Sequence, residues 1–148
     1  MSEPQIELVT FGSHPVPAHR HINPDGTIGG WVAETAYVAD TVYIEYSARV
    51  YDNARVLNNT CILGNARIYG NALVFGNAYV SGDAQIFDYS HVYGNAHVFE
   101  NANVYGRAHV YDNACVYGEV HVHGDVHING NTNAYGKVHI CNNTQVIK

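Results

Sequence analysis

Four residues near the C-terminus have the types and spacing of a metal site: His121, His123, His139 and Cys141, in the segments HVH and HIC. Imidazole nitrogen and thiolate sulfur are the ligands zinc prefers, and other transition metals accept them too. Asp125 follows HVH closely enough to orient a ligand from behind. The interval from His121 to His139 is also that from His123 to Cys141, and a second histidine series, His91, His109 and His127, recurs at the same interval. Three imidazoles on one face point the same way, so they would need a second subunit to complete a coordination sphere. Protonation below about pH 6.5 would make them repel one another. The competing reading of both groups is a polar outer face on which histidine is simply compatible with a strand.

That interval is three times a shorter period. From Val32 to Val146 every sixth residue is Val or Ile, with Ala134 the one exception. Two positions earlier stands a small or β-branched residue, Ala in eleven of the twenty units, as in GNARIY, GNALVF and GNAYVS. A fixed short period decides architecture before local propensity does. Side chains alternate along a strand, so the small residue and the Val or Ile point inward together, each followed by an outward residue. Gly, Asn and Asp then supply a corner, because they tolerate positive φ. Three such hexads close a triangular coil, and the twenty hexads make six to seven coils. The expectation is an all-β parallel β-helix over 30–148. Residues 1–29 break the period, hold Pro4, Pro15, Pro17 and Pro24, and read as an N-terminal cap.

Stacking one coil on the next places outward residues in columns about 4.8 Å apart per coil. On one face (A) run Trp31, Arg49, Arg67, Gln85, Asn103, His121 and His139, beside Ala33, Tyr51, Tyr69, Phe87, Tyr105, His123 and Cys141. The next (B) carries Tyr37, Arg55, Leu73, His91, His109, His127 and Gln145 beside Leu57, Phe75, Tyr93 and Tyr111. The third (C) carries Tyr43, Cys61, Tyr79, His97, Cys115 and Asn133 beside Glu45, Leu63, Ser81, Phe99, Tyr117 and Tyr135. Cys61 and Cys115 share a column three coils apart, about 14 Å, beyond the reach of a disulfide. Ten of the twenty positions after the Val or Ile are Tyr or Phe. Stacked rings stabilise neighbouring strands. They also form an apolar surface of the kind that docks on something. Face B, with Tyr37, Leu57, Leu73, Phe75, Tyr93 and Tyr111, is the expected interface for self-association.

Composition narrows the partners. A formal charge of −6, with acids mostly at corners, excludes a nucleic-acid footprint. Glu34, Asp52 and Asp88 share one corner row and Asp40 and Asp112 another, but Gly and Asn interrupt each row too often for a DNA mimic. No run approaches about 18 apolar residues, so no membrane span is expected. With no basic and apolar leader and three cysteines that make no ladder of pairs, the expected place is a reducing cytoplasm. At the C-terminal end the period runs to Val146, so the uncovered edge could pair with another chain; the polar last coil with Asn129, Asn131, Asn133, Asn142 and Asn143 is expected to fray instead.

These units resemble the hexapeptide-repeat left-handed parallel β-helices, over residues 30–148. Left-handedness is what that resemblance implies; the general crossover rule favours the other hand. More narrowly, the GNA-rich arrays and the segment DGTIGGWVA look like bacteriophage or prophage proteins labelled putative transferases. The resemblance implies homo-oligomers, trimers above dimers, packed side by side. Its best-known members are acyltransferases using acetyl-CoA, with a histidine base between subunits; His91, His97 and His109 are the candidates. Those enzymes also interrupt the hexads with a loop or add a C-terminal helix to wall a pocket, and this chain does neither. Carbonic anhydrases of similar fold hold zinc with paired histidines that His123-Gly124 reproduces only in fragment. The expectation is therefore a non-enzymatic rigid module with no catalytic residue and no cofactor, binding a host or phage protein in the host bacterial cytoplasm. Inhibition of a host defence protein is the role the phage resemblance implies. Acyl transfer, and a metal-binding virion or tail component, are the alternatives.

Overall fold

The structure, a computed structural model, describes residues 5–141 and the backbone of 145–147. Asn142 and Asn143 lie outside the described residues. Each hexad forms one short strand, for example Arg49–Val50, Arg55–Val56 and Cys61–Ile62. Among the described residues the strands form three sheets of nine, seven and six strands, one per face. The chain is a β-solenoid whose turn is three hexads, so that Arg49 pairs with Arg67 and Val50 with Ile68. Face B pairs Tyr37, Arg55, Leu73, His91, His109, His127 and Gln145 in succession, in the register the repeat dictates.

The core is a column one hexad pair wide on each side. Val and Ile from Ile44 to Ile128 are fully buried, and the Ala two positions earlier are 0–1% exposed. Where Ser90 or Thr60 replaces Ala, its hydroxyl donates to the carbonyl three residues back, Phe87 or Leu57, so the buried oxygen is satisfied. Corners follow an equally simple rule. Among the described residues, Asp52, Asn58, Asp88, Glu100 and Asp112 have positive φ without being glycine. Each lies under a glycine of the next coil, in turn Gly70, Gly76, Gly106, Gly118 and Gly130. Four of the five side chains accept that glycine's N–H, as Asp88 Oδ2 does from Gly106 at 3.1 Å. The corner acids thus act as local acceptors rather than as a charged stripe.

The N-terminal segment extends face A as an antiparallel sheet. Strands β1 (Glu7–Thr10), β2 (Pro15–Ile22) and β3 (Ile28–Ala33) pair in order, and β3 continues into the first coil by pairing with Arg49–Val50. Gly30 permits this junction, since a Cβ there would lie 1.9 Å from the Ala48 carbonyl oxygen. The cap also reaches the open edge of face C, whose first strand is Tyr43–Ile44. His21 Nε2 donates to the Val42 carbonyl at 2.7 Å, and the Asn23 amide both donates to and accepts from the backbone of Ile44. Side chains stand in for a missing strand.

Candidate functional site

The repeat stacks like ring types from coil to coil, and interstrand spacing sets their separation. On face A, Tyr51, Tyr69, Phe87, Tyr105 and His123 stack with centroids 4.8–4.9 Å apart. Ala33 is too small to begin the column, and Phe11 from the cap fills that rung, 4.7 Å above Tyr51 and nearly parallel to it. Phe11, Ala18, Ala33 and Tyr51 thereby form a small second core on the outside of the face. Phe11 escaped sequence reasoning because it lies in the aperiodic segment. Burial raises the phenol of Tyr51, 8% exposed, and pushes that of Tyr69 up to about 12. Each such stack contributes about 0.5–1.5 kcal/mol beyond area burial, so the ladders stiffen the rod as well as cover it.

Face B carries two adjoining columns. Phe75, Tyr93 and Tyr111 stack at 4.7–4.9 Å; beside them His109 stacks on His127 at 4.7 Å, and His91 lies 4.6 Å from His109 with its ring tilted by 36°. Tyrosine and histidine meet edge to face, Tyr93 with His109 and Tyr111 with His127. Asn129 Nδ2 donates to the Tyr111 hydroxyl at 2.7 Å, which closes the lower end. Leu57, Leu73, Phe75, Tyr93 and Tyr111 are all partly exposed, and Tyr37 stands out at 54%. The expected interface residues therefore share one flat face. Among the described residues the longest ring stack, however, is on face A, five rings from Tyr51 to His123 with Phe11 from the cap as a sixth.

The histidine ladder is where this face is expected to respond to pH. Burial lowers the imidazole pKa of His91, and burial together with the neighbouring His91 and His127 lowers that of His109. The Nδ1 atom of His109 is buried without a hydrogen-bond partner, and the carboxylate acting on the adjoining Tyr93 is Asp112. A folded pKa below the unfolded value means the unfolded chain binds more protons between the two. Stability should be complete above the unfolded value of 6.5 and fall as pH drops from there toward the folded values. His21, lowered mainly by burial, adds to the same loss. Melting curves at pH 7.5 and 5 should show a lower Tm in acid, and His109→Phe, which keeps a stackable ring, should reduce the difference. An equal acid loss in that variant would clear the ladder of this role.

The four residues with metal-ligand chemistry do lie together, on adjacent strands. His121 stacks on His139 at 4.6 Å, while His123 stacks on Tyr105 and meets His139 edge to face. Stacked rings aim their nitrogen lone pairs along parallel planes, so a shared ion would require the rings to turn out of the ladder. Among the described residues no group of three or more His, Cys, Asp or Glu side chains is arranged to hold a metal. Asp125 is an exposed corner residue. None of the three cysteines is in a disulfide; Cys61 and Cys115 sit three strands apart on face C.

Of the candidate bases, His97 stacks on Tyr79, and His91 and His109 lie in their own ladder. A histidine oriented by a carboxylate, the arrangement general-base chemistry favours, occurs instead where the cap meets the first coil, His19 Nδ1 contacting Glu34. Two hollows adjoin the cap, one of about 320 Å³ against Phe11, Tyr51 and Tyr69 and one of about 270 Å³ against Arg20, Trp31 and Arg49. Neither touches the candidate bases on faces B and C.

Repeat, register and ladders together define a β-solenoid repeat protein. The family model of the YdcK beta solenoid repeat matches residues 48–64 and 66–82, two consecutive stretches of the coil. No curated protein and no solved structure matches the chain.

Proposed function

We propose that the chain is a non-enzymatic rigid binding module that associates with copies of itself through face B and presents its remaining ladders to another protein. The observation that carries this reading is the flat, partly exposed surface of Leu57, Leu73, Phe75, Tyr93 and Tyr111 beside the histidine ladder. Rigid aromatic side chains lose little conformational entropy on docking, and a ladder fixed by backbone spacing loses less still. Transfer chemistry would need walls around a base, and neither of the two hollows beside the cap touches His91, His97 or His109. The resemblance to phage and prophage arrays makes a host protein, such as a component of defence, the partner of first choice.

Native mass spectrometry of the untagged chain tests this. The wild type is expected as an oligomer, a trimer first, without coenzyme A. The double change Tyr93→Ala and Tyr111→Ala should raise the subunit dissociation constant at least about tenfold, the equivalent of about 1.4 kcal/mol. Tyr135→Ala on face C should leave it unchanged. A wild-type monomer would remove face B as an interface, and a trimer retaining coenzyme A would turn the reading toward acyl transfer.

A further inference from the structure

Three arginines and a tryptophan occupy one outward row across four consecutive strands of the nine-stranded sheet. Arg20 lies opposite Trp31, Trp31 opposite Arg49, and Arg49 opposite Arg67. Neighbouring strands are about 4.8 Å apart, so three positive charges share about 15 Å of surface. Like charges directly opposite one another destabilise a sheet unless something neutralises them. Among the described residues no carboxylate does so, since the one ion pair there is His19 with Glu34. The acids flanking the row form no ion pair with it and accept from neutral donors: Glu45 from the Gly64 N–H, Asp52 from the Gly70 N–H and Asp83 from Asn65 Nδ2.

The row is also shaped. The Arg20 guanidinium lies between the rings of Trp31 and Tyr46, 4.4 and 3.8 Å from their centroids. Its Nη1 donates to the carbonyls of Tyr46 and Gly29, at 2.8 and 3.3 Å, which fixes the plane of the fork. The Arg67 guanidinium acts on the Tyr51 phenol, on the other side of the row. Arg20, Trp31, Tyr46, Ser47, Arg49 and Asn65 line the hollow of about 270 Å³. It is open to solvent and combines fixed positive charge, a hydroxyl and an amide with two aromatic rings that hold the Arg20 fork in place.

We propose that this hollow binds the phosphate group of a small molecule, with Arg20 and Arg49 as its charged donors, Ser47 and Asn65 as neutral donors, and Arg67, outside the lining, adding only to the local positive field. A phosphate dianion matches more than one guanidinium in charge, and it accepts bidentate N–H donation from the arginine fork. Donors surrounding a concavity suit a tetrahedral group better than a planar carboxylate. The net charge of −6 repels anions from the rest of the surface, so the row is a local exception. This site is independent of the face B interface.

The test is an NMR titration of the ¹⁵N-labelled full chain with inorganic phosphate, phenyl phosphate and acetate, at ionic strength held constant with chloride. Phosphate is expected to shift the Ser47 and Asn65 amides and the Trp31 indole N–H saturably, in the millimolar range. Arg49→Gln should weaken binding at least about tenfold, as the loss of a charge-assisted bond implies, and Arg67→Gln, whose side chain is exposed, less. Arg55→Gln on face B should bind as the wild type does. Tighter binding of phenyl phosphate would assign an organic monoester; equal affinity would assign free phosphate. Shifts that never saturate, acetate binding as tightly as phosphate, or unchanged affinity in both Arg49→Gln and Arg67→Gln would overturn the proposal.

Discussion

Gly106→Val should destabilise the solenoid by about 3 kcal/mol, as left-handed backbone in a non-glycine residue costs about 1–2 kcal/mol and strain at such positions up to about 3. Gly106 sits at a corner with φ +67°, and a Cβ there would lie 2.7 Å from the Gly124 nitrogen in the next coil. That neighbour is backbone, so the coil itself must shift. Valine adds a branch at Cβ, which makes positive φ harder still. For a chain of this size the loss corresponds to a Tm drop of about 6–12 °C. Each coil touches only its neighbours, so the damage should also divide unfolding, with coils after Gly106 melting before those preceding it. Gly106→Asn should cost less, because Asn tolerates the conformation and can accept the Gly124 N–H as Asn58 accepts that of Gly76. Gly136→Ala, where a Cβ would meet nothing within 4 Å, is the control for φ alone. Thermal and urea unfolding of the three variants measure the difference. Gly106→Val melting with the wild type would show that the corners stack more loosely than so close a backbone approach implies.

How much of this was legible in advance divides at residue 30. Beyond it, period alone sufficed: Val50 over Val32, Ile68 over Val50 and His109 over His91 follow from counting in eighteens, and the paired registers agree. Inward and outward sides follow from strand alternation, hence the buried Val and Ala and the half-exposed Tyr and Phe. Ring orientation does not follow from counting. His121, His123 and His139 read as candidate ligands because counting places them close together, but counting does not show that His121 stacks on His139 while His123 meets it edge to face. Before residue 30 there is no period to count. Phe11 completing the face A ladder, Arg20 wedged between Trp31 and Tyr46, and His19 beside Glu34 are contacts through space between an irregular segment and a regular one. Positions of corner acids were visible, but their work as acceptors for the glycine one coil on required the stacked backbone to be seen.

The cap offers the second large effect, at Asn23. In the coils each strand donates N–H groups to the strand one coil further on, as Tyr43 does to Thr60 and Glu45 to Ile62. The other side of the first coil therefore faces no strand, and on face C the N–H and carbonyl of Ile44 point to that open edge. Asn23, 3% exposed, meets both: Oδ1 accepts the Ile44 N–H at 2.8 Å and Nδ2 donates to its carbonyl at 3.0 Å. A primary amide has one acceptor and a donor side by side, the same pair a neighbouring backbone would offer. Asn23→Ala removes both partners at a buried edge, and each orphaned group costs about 1–3 kcal/mol, so the loss should reach about 2–6 kcal/mol in urea denaturation. The Ile44 amide should lose its hydrogen-exchange protection in the same variant, while Val98 in the middle of the rod keeps its own. Asn23→Asp separates the two bonds: an ionised carboxylate still accepts from Ile44 N–H but repels its carbonyl, so that variant should be weak at neutral pH. Protonation would restore a donor, and its stability relative to Asn23→Ala should therefore improve as pH falls. An uncapped edge is also a template for another strand. Asn23→Ala should accordingly self-associate end to end at concentrations where the wild type does not, a change that light scattering would detect. Stability of Asn23→Ala within about 0.5 kcal/mol of the wild type, the usual range for a neutral surface change, would mean that water serves this edge as well as the amide does.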